Sequence, residues 1–283
     1  GAGAELSAFY HRCKEIYEVA GVPYLEAPFR GIVDLMKRVA KRGTNAVRLG
    51  LSLGSLHGLA RTSFQRPMLA QFAGRFATYA GVSPFDASAS FALIAHVEQA
   101  FGVFHPRGGM GALAQALAQA VRRLGVSIHV GNRATWRRQR DTLVVSFDGH
   151  EERFDRLIVN EDPLVSMRRT NDACALSGYV LQLEFNRRLS LPHHSILFSQ
   201  NSEDEFAALE GGTIADGSTM YVCHPSATDN TMAASHRSGV YVMLNAPPIA
   251  GDGSGRPSDA DRRHWRHKST AIRDECLHRL RIA

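Results

Sequence analysis

The chain has 283 residues, 44% hydrophobic and 21% charged, with a formal net charge of +6. This is the composition of an ordinary soluble globular protein, long enough for one large domain or two small ones; with no apolar run of about 18 residues, it excludes a membrane-spanning helix. The positive charge, mostly arginine, is compatible with nucleic acid, an anionic membrane surface or an acidic ligand, and equally with the solvated surface of a protein from an arginine-rich proteome.

Residues 5–19 read as a helix, with Leu6, Phe9, Tyr10, Ile16 and Tyr17 near helical spacing. After the breaks at Pro23 and Pro28, "FRGIVDLMKRVAKR" (29–42) forms a second helix, with Phe29, Ile32, Val33, Met36 and Val39 on one face and basic residues over much of the rest. Such a helix either packs on a core with a solvated basic face or lies in a membrane interface. An apolar, Gly-rich stretch (50–63) follows, then two helices separated by the Gly81–Pro84 break, with Ser83 or Asp86 placed to cap the second. A further helix covers 110–124. The period then changes to alternation. Strands are predicted at 126–130, 142–147 and 153–160, with Asp148-Gly149 as a turn, and then at 177–185, 194–199, 218–223 and 239–246. A polar linker (250–260) leads into a basic helix at 261–282. Helices, a small sheet, then a second sheet with a closing helix indicate a mixed α/β (α+β) fold.

The four cysteines, Cys13, Cys174, Cys223 and Cys276, have no metal-ligand spacing and read as reduced thiols of a cytoplasmic protein. Zinc, P-loop and GxSxG patterns are absent. His193-His194 and Ser195 are neighbours, but adjacent residues in a strand point to opposite faces, so spacing does not make them a dyad. His264 and His267, with Asp261 a turn earlier, read as surface residues, and no metal is expected. The arginines are scattered and form no patch with interleaved aromatics, which argues against nucleic acid.

Gly108-Gly109 stands directly before the helix at 110–124. A helix N-terminus presents unpaired N–H groups and a partial positive charge, and glycine there lets a bound group approach the backbone. The same pair also suits a plain tight turn. Phe101, Phe104 and His105 supply either an apolar wall for a flat ligand or ordinary core packing.

Four stretches taken together carry a resemblance: "RFATYAGVSPFDASASFALIAHVEQAFGVFHPRGGMGALAQAL" (75–117), "RLIVNEDP" (156–163), "LPHHSILFSQNSEDEFAAL" (191–209) and "MYVCHPSATDNT" (220–231). In this order they resemble the bacterial-type phytoene desaturases, FAD-dependent carotenoid desaturases with an amine-oxidase-like fold. "YVMLNAPPIAGDG" (241–253) is more similar to the desaturases that act at the 3,4 position of hydroxy- or methoxyneurosporene. The resemblance implies a two-domain flavoprotein: a helical membrane and substrate part over 1–105, a partial FAD-domain segment over 106–165, and a mixed-sheet substrate domain over 166–283. It places Gly108, Gly109, Met110, Asn160 and Asp162 against FAD, and makes His105, Arg107 and Glu98 the polar groups nearest the flavin edge. The expected partners are an acyclic carotenoid and a membrane surface met through 29–42, with the protein peripheral at the inner membrane.

Departures from the family pattern accompany the likeness. The family's dinucleotide fingerprint and its second flavin motif lie outside this stretch, which also lacks an initiator Met, so a fragment is expected. Thr135 and Arg138 stand where the family has apolar residues, and Glu161 stands where a small residue precedes the aspartate. A carboxylate beside a diphosphate is repelled by about 1 kcal/mol in a wet site. The alternative expectation is therefore a non-catalytic relative, binding carotenoid without FAD.

Overall fold

The computed structural model describes residues 1–21, 28, 30–41, 54–131, 133–160, 175–249 and 258–282. The architecture is mixed α and β, and the chain divides into two compact units. The first unit comprises Gly1–Phe104, Ala173–Ile249 and Asp259–Ala283; the second comprises His105–Asp172 and Ala250–Ser258.

The first unit opens with α1 (Ala2–Ile16), which runs into one π turn (Tyr17–Gly21). Phe9, Cys13 and Ile16, spaced four and three apart, form its buried stripe. The amphipathic segment forms α2 (Ile32–Lys41), which starts later than the predicted 29–42: Arg30 and Gly31 are not helical, Gly31 having φ 104°, and Phe29 and Arg42 lie outside the described residues. Next comes α3 (Leu56–Ser63), capped by the Ser55 hydroxyl, which accepts from Gly58 N–H at 3.0 Å. Then α4 (Pro67–Gly74) passes into a 3-10 segment (Arg75–Ala80) that Gly81 ends in the left-handed conformation. A second 3-10 turn (Ala89–Ala92) leads into α5 (Leu93–Phe101). Ser88 caps the 3-10 turn, its hydroxyl accepting from Ser90 N–H at 3.2 Å, and α5 itself begins after Ala92 with no side-chain cap. Ser83 and Asp86, predicted for that role, do not take it, and Ser83 instead accepts from Phe85 N–H at 3.3 Å. Phe9, Ile16, Leu56, Phe64 and Phe76 form one core with a run of alanines. Burial of each such large side chain contributes about 1.5–3 kcal/mol.

In the second unit, α6 (Gly109–Arg123) precedes an antiparallel sheet of β1 (Thr135–Gln139), β2 (Thr142–Phe147) and β3 (His150–Phe154), in that order. Two strand expectations are corrected here. Residues 126–130 alternate but form no strand, and the predicted 153–160 strand stops at Phe154. Alternation makes a strand possible, but a ladder requires a neighbour, and none lies alongside these segments among the described residues. Val126, Ile128, Val130 and Ile158 are correspondingly exposed. The unforeseen strand is β1, exposed throughout, which pairs with β2 and is tied to β3 by the two-pronged Arg137–Glu151 ion pair at 2.6 and 2.8 Å. The Asp148-Gly149 turn joins β2 to β3 with φ of 51° and 79°, both left-handed, as a two-residue hairpin needs.

The rest of the first unit is a four-stranded antiparallel sheet in the order β4 (Ser177–Phe185), β7 (Ser238–Ala246), β6 (Met220–Cys223) and β5 (His194–Leu197). Between β5 and β6 lies α7 (Ser202–Glu210), capped by Asn201, whose side chain accepts from Glu203 N–H at 2.9 Å. Met220, Val222, Val240, Val242 and Leu244 bury one sheet face with Cys276 of the long closing helix α8 (Asp259–Ile282). Three polar hooks fix α8 there: Tyr179 OH donates to Ser269 O at 2.8 Å, Arg279 to Ser218 O at 2.6 Å, and Gly217 N–H donates to Glu275 at 2.7 Å.

Candidate functional site

The glycine pair begins α6 with bare backbone. Gly108 has φ 81° and ψ 9°, and Gly109 has φ 76°, so both are left-handed. Gly109 N–H donates to Pro106 O at 2.8 Å, closing the turn. A Cβ on Gly108 would stand 3.2 Å from the Ala112 Cβ, whereas one on Gly111 would meet nothing within 4 Å. The helix start is therefore open on its Gly111 side and tight on its Gly108 side, a cradle that a flat group could approach. Gly109 is buried, while His105, Arg107, Gly108 and Met110 are exposed. Asn160 is exposed in the chain after β3, and Asp162 and Glu161 lie outside the described residues. Thr135 and Arg138 are exposed on β1. Glu98 belongs to the first unit, on α5, where its Oε1 accepts from the Tyr79 hydroxyl at 2.6 Å.

A second site, which sequence reasoning did not single out, is a cavity of about 370 Å³ within the first unit. Gln71, Arg75, Glu205 and Thr219 line it, from α4, the segment after it, α7 and the approach to β6. Glu205 is 2% exposed, and its Oε2 accepts from the Thr219 hydroxyl at 2.6 Å. That hydroxyl in turn accepts from Ser199 N–H at 3.1 Å, and Gln71 donates to Ser199 O at 3.2 Å. Glu205 Oε1 and Gln71 Oε1 are buried acceptors without a hydrogen-bond donor among the described residues. Burial pulls the Arg75 guanidinium down from its ordinary value, opposed by Glu205, Tyr79 and Tyr221, so this cation balances the buried carboxylate across the site. An opposed pair of charges with two unsatisfied acceptors can hold a hydrogen-bond donor or order water. The signal was Glu205 itself, one of three consecutive acids whose helical phase alone turns it inward beside Phe206 and Leu209.

The sheet face turned away from α8 carries Tyr221, Cys223, Tyr241 and Met243, all half-buried. Burial, then the hydrogen bond and charge of Cys223, push the Tyr221 hydroxyl well up. His193 and His194 come together at its edge, with ring centroids 4.4 Å apart at 35°. β5 begins at His194, so His193 precedes the strand and alternation does not govern it.

Comparison with known proteins gives a consistent picture. A family model described as flavin containing amine oxidoreductase matches residues 33–233, more than half of the chain. A 4,4'-diapophytoene desaturase (4,4'-diapolycopene-forming) of Methylomonas is 26% identical over 194 residues, which is 60% of this chain and 37% of that protein. A zeta-carotene-forming phytoene desaturase of Myxococcus xanthus is 28% identical over 185 residues, 60% of this chain and 36% of that protein. A phytoene dehydrogenase of Streptomyces griseus is 30% identical over 217 residues, 72% of this chain and 41% of that protein. The chain thus spans about two-fifths of the length of the curated relatives it matches, at 37%, 36% and 41%.

Proposed function

The chain belongs to the flavin-containing amine oxidoreductase family, and on that premise we propose that it acts within an FAD-dependent carotenoid desaturase, dehydrogenating C–C bonds of an acyclic carotenoid such as phytoene or a neurosporene derivative. The observation that carries this reading is that the relatives named for such reactions align with 60–72% of the chain. The left-handed glycine turn fits a flavin, because it opens a helix with backbone alone. When bound, the flavin supplies an acceptor for the two electrons released as two hydrogens leave adjacent carbons. Gly108 and Gly109 would keep side chains out of its path, and Met110 and Asn160 would hold it with them; Asp162, also expected there by the resemblance, lies outside the described residues. By the resemblance, the candidates to hold or move a proton are His105 and Arg107 in the second unit and, taken separately in the first unit, Glu98, which has the Tyr79 hydroxyl as its donor. In this reading residues 106–165 are a piece of the FAD domain, and the stretches before and after them serve the substrate.

The membrane enters through α2. Val33 and Met36 are exposed, and so are Lys37 and Lys41, while Arg38 is paired with Asp34. Apolar and basic side chains exposed on one short helix suit the headgroup boundary of an anionic bilayer. Such contact gives a peripheral protein access to a substrate that lives in lipid.

The test is expression of the intact reading frame in hosts that accumulate phytoene or neurosporene, with pigment analysis and a flavin absorbance spectrum of the purified protein. More strongly conjugated carotenoids together with bound flavin are the expected result. Unchanged pigments in both hosts from a folded, flavin-free protein would overturn the proposal in favour of a non-catalytic carotenoid-binding relative.

A further inference from the structure

We propose that His193, His194 and Cys223 form a zinc-type metal site at the open edge of the β5–β6 pair. It is independent of the flavin and of the proposed desaturation. The candidate ligand atoms of these three residues all lie within 4.8 Å of one another. This convergence follows from the sheet. His194 faces Cys223 directly in the antiparallel register, so their side chains share a face. His193 stands just before the strand, its carbonyl accepting from His224 N–H at 2.7 Å, and this bend brings its ring onto the same side.

The surrounding hydroxyls orient the imidazoles as ligands are oriented in built metal sites, where a ring nitrogen not on the metal is hydrogen-bonded. His194 Nδ1 shares a hydrogen bond with the Tyr221 hydroxyl at 2.7 Å, and His193 Nδ1 with the Thr228 hydroxyl at 2.6 Å. Thr228 is itself placed by a hydrogen bond to Pro225 O at 3.4 Å. Tyr221 and Cys223, two residues apart on β6, share one sheet face, so the phenol that holds His194 lies on the same side as the thiol. Two imidazoles and a thiolate with an open fourth position match the ligand set of zinc better than that of magnesium or calcium, which take oxygen. On binding, the Cys223 thiol loses its proton to solvent as the sulfur–metal bond forms, and no electron is transferred. His194 is exposed and both partners are half-buried, so an ion can enter from solvent.

The test uses the intact, tag-free protein. Zn²⁺ is titrated calorimetrically, and Co²⁺ is added in parallel to look for a thiolate-to-metal charge-transfer band. One Zn²⁺ per chain and a thiolate band are expected. Cys223→Ser should abolish the band and weaken Zn²⁺ by at least about 100-fold, and Tyr221→Phe should weaken it by about 10-fold. Cys276→Ala, on the opposite face of the sheet, should leave both readouts unchanged. Circular dichroism of each variant separates lost ligation from lost fold, and His194→Ala serves as a second ligand variant if Cys223→Ser unfolds. Absence of a thiolate band, or Zn²⁺ affinity unchanged in folded Cys223→Ser or His194→Ala, would overturn the site.

Discussion

Thr219→Val removes one hydroxyl and keeps the shape, which makes it the sharpest probe of the buried cavity. The Thr219 hydroxyl donates to Glu205 at 2.6 Å and accepts from Ser199 N–H at 3.1 Å, with all three residues buried. A hydrogen bond to a carboxylate contributes about 1.5–3 kcal/mol, and a buried N–H left without an acceptor costs about 1–3 kcal/mol. Both losses pass through one oxygen and are not fully additive, so Thr219→Val is expected to cost about 3–5 kcal/mol. Thr219→Ser keeps both bonds and loses one methyl, about 1 kcal/mol. Guanidinium unfolding followed by far-ultraviolet circular dichroism measures both. A valine variant within about 1 kcal/mol of the serine variant would refute the reasoning, because water from the adjoining cavity would then replace the hydroxyl at no cost.

Alanine at Gly81 and at Gly212 separates backbone conformation from contact. Both have positive φ, 65° and 81°, but a Cβ on Gly81 would meet the Ala175 Cβ at 2.8 Å and Leu176 backbone at 3.1 Å, whereas one on Gly212 meets nothing within 4 Å. Gly212→Ala should cost about 1 kcal/mol and Gly81→Ala about 2–4 kcal/mol by the same unfolding assay. Burial pushes the Cys13 thiol up to about 12 and the Cys276 thiol up to about 11, from an ordinary 9.0. Both acids hold their protons more tightly when folded, so this contribution to stability is intact below pH 9.0 and is lost as pH climbs through 11 and 12. Alkylation of the native protein below pH 9.0, read by peptide mass spectrometry, should label half-exposed Cys223 ahead of Cys13 and Cys276. Met36→Glu places a charge among the exposed residues of α2 and should reduce co-sedimentation with anionic liposomes by about 10-fold without shifting thermal unfolding, since one apolar anchor is exchanged for a repelled carboxylate.

The parts of the fold that were legible are those whose period meets a core. Tyr179, Leu181, Leu183 and Phe185 alternate along residues 177–185, which form β4 over the same range, Ser177–Phe185, because that face packs under α8. Helix α1 was visible in its buried stripe. The strand β1 was not, since TWRRQ is exposed on both faces and has no alternation to display. Helix α7 was overlooked because an acidic run reads as solvated loop, although Asn201 followed by three acids in the first turn is a capping signal. The site divided in the same way. The glycine turn announced itself by residue type, whereas Glu205 points inward only through the phase of its helix. The His193–Cys223 cluster depends on a register about thirty residues away in sequence and on a bend at His193, just before the strand.

The order in which the second sheet is threaded has a consequence for biogenesis. β4 pairs along its whole length with β7, from Ser177 against Ala246 to Phe185 against Ser238, so its partner leaves the ribosome only after β5, α7 and β6 have been made. Until then its edges are bare, and the apolar side it will bury waits for α8, later still. Such long-range closure is slow and leaves nascent chains prone to sticking together. Yield in a foreign host should therefore depend on chaperone supply and a low synthesis rate more than on the stability of the finished molecule.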